Sequence, residues 1–153
     1  MRQDKVTHSV PQKEQDQLPK TIIVTGSREY HKGWFVSDIL TSQFRALNGK
    51  IFVKVGDCPT GVDKHTLSWC ETILPEDQYK VYYADWNKFG KTAGPRRNHE
   101  MCDSGGDLCI ALPDENSKGT KDCAEYANRI GIPVWFPELP SWAQWAAPIA
   151  QWR

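Results

Sequence analysis

Short apolar runs, each broken by Gly, Ser, Asp or Thr before a stretch of helical periodicity, constrain this chain more than any other feature. Ile22-Ile23-Val24 runs into Thr25-Gly26-Ser27-Arg28. Ile51 to Val55 runs into Gly56-Asp57-Cys58-Pro59-Thr60-Gly61-Val62-Asp63, and Leu108 to Leu112 is followed by Ser117-Lys118-Gly119-Thr120. Near-continuous apolar strands are those of a parallel sheet covered on both faces. In such sheets ligands bind outside the carboxyl ends of the strands, over the N-termini of the helices that follow. Three junctions of this kind, most with a cation nearby, point to a ligand that carries phosphate.

The elements between the junctions follow from periodicity. Strands are expected over 21–25, 50–55, 79–84, 107–112 and 132–136. Helices are expected over 34–47, 61–73, 94–101 and 119–130. The inward residues are predicted to be Phe35, Ile39, Leu40, Phe44 and Leu47 on the first helix and Val62, His65, Trp69 and Ile73 on the second. On the fourth they are Cys123, Tyr126, Ala127 and Ile130, and Gly131 ends it as a cap. Asp85 to Ala93 reads as an irregular polar and aromatic loop. Strands and helices in alternation imply right-handed crossovers. The fold class is α/β, a three-layer Rossmann-like sandwich with a five-stranded, mainly parallel sheet in the order 3-2-1-4-5. Its switch point lies between strands 1 and 4.

Residues 1–20 read as a flexible polar tail without a hydrophobic leader, 21–136 as the Rossmann-like domain, and 137–153 as a Trp-rich extension. In that extension Trp142, Trp145, Ile149 and Trp152 recur at helical spacing, interrupted by Pro148. The segment either wraps back to complete the core or offers a homodimer surface, where aromatic residues are enriched.

The chain carries 19 basic and 19 acidic residues. That balance argues against a general nucleic-acid binder, which shows a basic excess or stripe. Five cysteines, an odd number with no CxxC pair, read as reduced thiols of a cytoplasmic protein. No metal is expected, since His99 and Cys102 lack a second pair at a matching spacing. No apolar run is long enough to span a membrane.

Each junction offers ligand-binding groups. Gly26 lets backbone amides approach a ligand, Ser27 adds a hydroxyl, and Arg28 suits a bidentate hold on phosphate or carboxylate. Gly56 and Gly61 bracket a tight loop beside Asp57 and Asp63. Asp63 either complements the helix dipole or meets a ribose hydroxyl or a cation. Arg96, Arg97 and Asn98 open the third helix, where cations oppose the dipole and a bound anion would explain them. Asp85 or Glu100 are the alternative partners of the two arginines. Gly119 and Thr120 open the fourth helix, its free N–H groups suited to phosphate, although Ser117 and Thr120 also suit ordinary caps.

Taken in order, Gly26-Ser27-Arg28, Gly56-Asp57 with Gly61-Val62-Asp63, Ala93-Gly94-Pro95-Arg96-Arg97-Asn98 and Lys118-Gly119-Thr120 resemble the YspA-type branch of the SLOG superfamily. The resemblance runs from about Thr21 to Phe136. It implies a Rossmann-like fold, a pocket for a nucleotide or nucleotide-derived molecule, and a phage or bacterial setting. Relatives of that superfamily include DprA-like DNA-processing proteins and the Lonely-guy phosphoribohydrolases. The enzymes use a Pro-Gly-Gly-x-Gly-Thr-x-x-Glu segment and an upstream Arg. Here Arg97 fits the Arg and Gly119-Thr120 the Gly-Thr, while Asn116-Ser117 replaces the Gly-Gly and Cys123 falls at the Glu.

The expectation is therefore a sensor, sequestering or accessory protein that binds a nucleotide-derived molecule and needs no cofactor. The alternative is a nucleoside-monophosphate phosphoribohydrolase, an N-glycosidase that would need a carboxylate in place of the missing Glu. Asp57, Asp63, Glu100 and Asp122 are the candidates for it. A single-stranded DNA-binding module, with Trp86 and Phe89 stacking on bases, is the third reading.

Overall fold

The computed structural model describes residues 18–150 together with Pro11. Most of the expected polar tail, and Trp152, lie outside the described residues. Five strands form the sheet: β1 (Lys20–Gly26), β2 (Ile51–Gly56), β3 (Tyr79–Tyr82), β4 (Leu108–Leu112) and β5 (Val134–Trp135). Their order is β3-β2-β1-β4-β5, and every pairing is parallel. The expected order and α/β class are thus found, with a sheet that is wholly rather than mainly parallel.

The three inner strands β1, β2 and β4 bury successive residues on both faces, which is why their runs are apolar without alternation. Ile22, Val24, Ile51, Val53, Leu108, Ile110 and Leu112 face one layer, formed by α1 (Gly33–Ala46) and α2 (Gly61–Ile73). Those helices contribute Val36, Ile39, Leu40, Val62, Trp69 and Cys70. Ile23, Cys109, Ala111 and Val134 face the other, where α4 (Ala93–Asp103) and α5 (Lys118–Arg129) bring Met101, Cys102, Cys123, Ala124 and Ala127. Lys54, in the middle of β2, is buried on this second side. Its Nζ donates to the Ser104 and Gly105 carbonyls and the Ser104 hydroxyl at 2.6–3.0 Å, a cation placed on the carbonyl end of α4.

Several expectations change at the margins. Ile73 and Ile130 sit at helix ends beyond the sheet and are exposed, whereas Val36, outside the predicted stripe, is buried. The loop over 85–93 is more ordered than expected: α3 (Trp86–Phe89) is one helical turn, capped by the Asp85 carboxylate, and a 3₁₀ turn (Gly90–Thr92) leads into α4. The Trp-rich extension forms no helix among the described residues. It runs back along β5, where the Ala147 N–H donates to the Val134 carbonyl, and it buries Ala143 completely. Phe136, Trp142 and Trp145 meet there at centroid distances of 5.3–6.4 Å. The reading in which this segment completes the core is the one realised among the described residues. No helix among the described residues is long and apolar enough to cross a membrane.

Candidate functional site

The carboxyl ends of β1, β2 and β4 surround a cleft of about 680 Å³, within the range that takes a small-molecule ligand. It lies at the switch point between β1 and β4, where chains leave the sheet in opposite directions and open a crevice. Of the twelve expected site residues, nine line it: Gly26, Ser27, Arg28, Asp57, Asp63, Arg97, Asn98, Gly119 and Thr120. Gly56, Gly61 and Arg96 do not.

Gly56 and Gly61 act from behind the wall. Gly61 has φ +69°, and a Cβ there would stand 2.1 Å from the Ser27 carbonyl oxygen, so only glycine lets the start of α2 pass under the end of β1. A Cβ on Gly56 would stand 2.7 Å from both the Arg97 guanidinium and the Asp63 carboxylate. Those charged groups are therefore packed directly onto the backbone of β2. Arg96 is a correction. Consecutive helical residues point about 100° apart, so Arg96 and Arg97 cannot both face the cleft. Arg96 turns outward, stacks 4.3 Å above the Phe89 ring and donates to the Thr92 hydroxyl.

Arg97 pairs neither with Asp85 nor with Glu100. Its Nη1 donates to Asp57 at 2.5 Å and its Nε to the Asn98 side-chain oxygen at 2.7 Å. Asp85 is occupied as the cap of α3. Nη2 keeps no partner among the described residues. Asp63 lies beside this pair, buried, with its Oδ2 accepting from the Cys58 N–H at 3.2 Å. Burial pushes the Asp63 carboxyl up to about 6, against the attraction of Arg97 and helped by the charge of Asp57.

This shift has a consequence for stability. A folded pKa above the ordinary 3.8 means that the native chain holds this proton more tightly. The stabilisation is therefore complete below about pH 4 and is lost as pH rises through about 6, a change on the order of 2–3 kcal/mol. Asp63→Asn is expected to gain stability relative to the unsubstituted protein by that amount between pH 4 and pH 7. Paired melting curves across this range check it, and parallel pH profiles for the two proteins contradict it.

Ser27 is less available than expected. Its buried hydroxyl donates to Asp114 in a short contact and accepts from the Glu29 N–H at 3.0 Å, so it fixes the wall. Those hydrogen bonds from Ser27 and from Ser117 hold the Asp114 carboxyl below its ordinary range. Ser117 is thereby diverted from capping α5, which has no side-chain cap. The Gly119 and Thr120 N–H groups point out of the helix end without partners among the described residues. Nothing lies within 4 Å of a Cβ built on Gly119, so the space over that helix start is open.

The remaining wall was only partly anticipated. Trp86, 51 % exposed, lines the cleft with its ring edge 3.3 Å from a Cβ position on Gly94. Lys91 and Lys118 add two exposed cations, and like Arg28 neither forms an ion pair among the described residues. The cluster of cations over 88–97 was the signal for Lys91. Among the carboxylates considered for water activation, Asp57 and Asp63 lie in the cleft. Glu100 and Asp122 do not, and Asp122 instead pairs with His99 at 2.9 Å. Cys123 is fully buried, its Sγ 3.9 Å from that of Cys102.

No protein-family model matches the chain. Over 119 residues it is 34 % identical to the Gene 61 protein of Mycobacterium phage D29, a match that takes in 75 % of this chain and 94 % of the phage protein. The chain belongs to the family of that phage protein. The extent of the match means that the relationship spans most of a domain and is not confined to one glycine junction.

Proposed function

We propose that this phage-family protein binds a nucleotide or nucleotide-derived small molecule, in the manner of the SLOG-type domains its junctions resemble. One observation carries the reading. The cleft brings an uncapped helix start at Gly119 and Thr120 together with unpaired Arg28 and Lys118 on one side, and an exposed Trp86 on the other. Free N–H groups at a helix start attract phosphate, and an indole face takes a base by stacking. Between them, Asp63 and Asn98 supply acceptors and donors suited to ribose hydroxyls. Thermal denaturation against mono-, di- and cyclic nucleotides and ADP-ribose tests the proposal. At least one is expected to raise the melting temperature in a saturable manner, while ribose and free bases do not.

A second reading, hydrolysis of a nucleoside monophosphate to base and ribose phosphate, is favoured by the position of Asp57 and Asp63 in the cleft. A raised carboxyl pKa suits a group that must hold and release a proton near neutral pH. Incubation with the four nucleoside monophosphates and measurement of free base separates this reading from binding alone.

A further inference from the structure

The zero net charge of the chain hides an uneven distribution. Between residues 85 and 97 four cations, Lys88, Lys91, Arg96 and Arg97, face one carboxylate, Asp85. Asp85 is used by the α3 cap and Arg97 by Asp57. Lys88, Lys91 and Arg96 remain exposed and without ion pairs among the described residues. They alternate with aromatic rings. Phe89 lies between Lys88 at 5.1 Å and Arg96 at 4.3 Å, Trp86 stands at the lip of the cleft, and Tyr83 is 76 % exposed just before it. This strip begins inside the cleft, at Trp86 and Lys91, and continues outward over α3 and the first turns of α4.

A free mononucleotide has no use for the outer part. A chain of nucleotides does: cations at intervals track a phosphate backbone, and exposed aromatic rings take bases without regard to sequence. We propose that the ligand of this site is the end of a single-stranded nucleic acid. One nucleotide sits in the cleft and the next few run across Lys91, Phe89, Lys88 and Arg96. This rests on the nucleotide reading of the cleft and extends it. Phe89, with cations on it, serves to place those cations, and Trp86 and Tyr83 are the stacking rings. A duplex is excluded from the cleft by its width and by its stacked, unavailable bases.

Fluorescence anisotropy with a labelled 12-nucleotide DNA strand of mixed sequence tests this, alongside the same sequence as RNA, as DNA duplex, and the four deoxynucleoside monophosphates as competitors. The single strand is expected to bind at least tenfold more tightly than any monophosphate and more tightly than the duplex. Its log affinity should fall against log salt with a slope of about −3.5, from five cations, Arg28, Lys91 and Lys118 in the cleft and Lys88 and Arg96 beyond it, at roughly 0.7 each. Lys88→Glu with Arg96→Glu, both outside the cleft, should reduce single-strand affinity at least tenfold and flatten the slope by about 1.4. Monophosphate binding should be unchanged. Lys88→Glu alone, which disturbs only the contact with Phe89, guards against misfolding of the double variant. The DNA and RNA arms identify the source of the strand. If monophosphates bind but the strand gains nothing, or the substitutions leave its affinity intact, the extension is overturned and the cleft reading stands. If the strand binds and no monophosphate competes, the seating of a nucleotide in the cleft is wrong, and both fall.

Discussion

Gly61→Ala is expected to destabilise the protein by about 4 kcal/mol, near the upper end for a single substitution. Two effects add. Gly61 has φ +69°, a conformation that costs an L-residue about 1–3 kcal/mol. The new methyl would also sit 2.1 Å from the Ser27 carbonyl oxygen and 2.5 Å from Arg28 backbone atoms. That carbonyl already accepts from the Val62 N–H at 3.0 Å, so relief would break the junction between β1 and α2. For a chain of this size the melting temperature should drop by roughly 8–16 °C. A drop of only a degree or two would mean that α2 starts elsewhere and that the cleft is drawn wrongly.

Arg28→Ala should do the opposite. The side chain is exposed and makes no hydrogen bond among the described residues, and its backbone carbonyl, bonded to the Thr60 hydroxyl at 2.7 Å, is untouched. Stability should change by no more than about 0.5 kcal/mol. Nucleotide affinity should fall about 10–100-fold, because a charged hydrogen bond to phosphate contributes about 1.5–3 kcal/mol. Titration calorimetry of the two proteins at one salt concentration measures this. Equal affinities would remove Arg28 from the site. The two variants together separate the residues that build the cleft from those that face into it.

That separation is also where sequence reading met its limit. The strand order followed from buried runs and crossover handedness, both of which are local or general. The nine cleft residues followed from the rule that parallel sheets bind at their carboxyl edge. The charge pairs did not follow. Asp57 and Arg97 are 40 positions apart and meet only because the ends of β2 and α4 converge. Nor does sequence say which of two adjacent arginines turns inward, since rotation of α4 by one residue exchanges them. Trp142, Trp145 and Ile149 mimic a helical stripe, yet the segment follows β5, with Pro140 and Pro148 limiting any helix. Whole-chain charge concealed the basic strip over 85–97, because the acids that balance it lie elsewhere.

The nucleotide site is tested most directly by following backbone and indole N–H resonances while a nucleoside monophosphate or ADP-ribose is added. Saturable shifts are predicted at Gly119 and Thr120, whose N–H groups would meet phosphate, and at the Trp86 indole, which would meet the base. Absence of any saturable shift across the nucleotide panel, or shifts confined to a surface away from these three residues, would contradict the site.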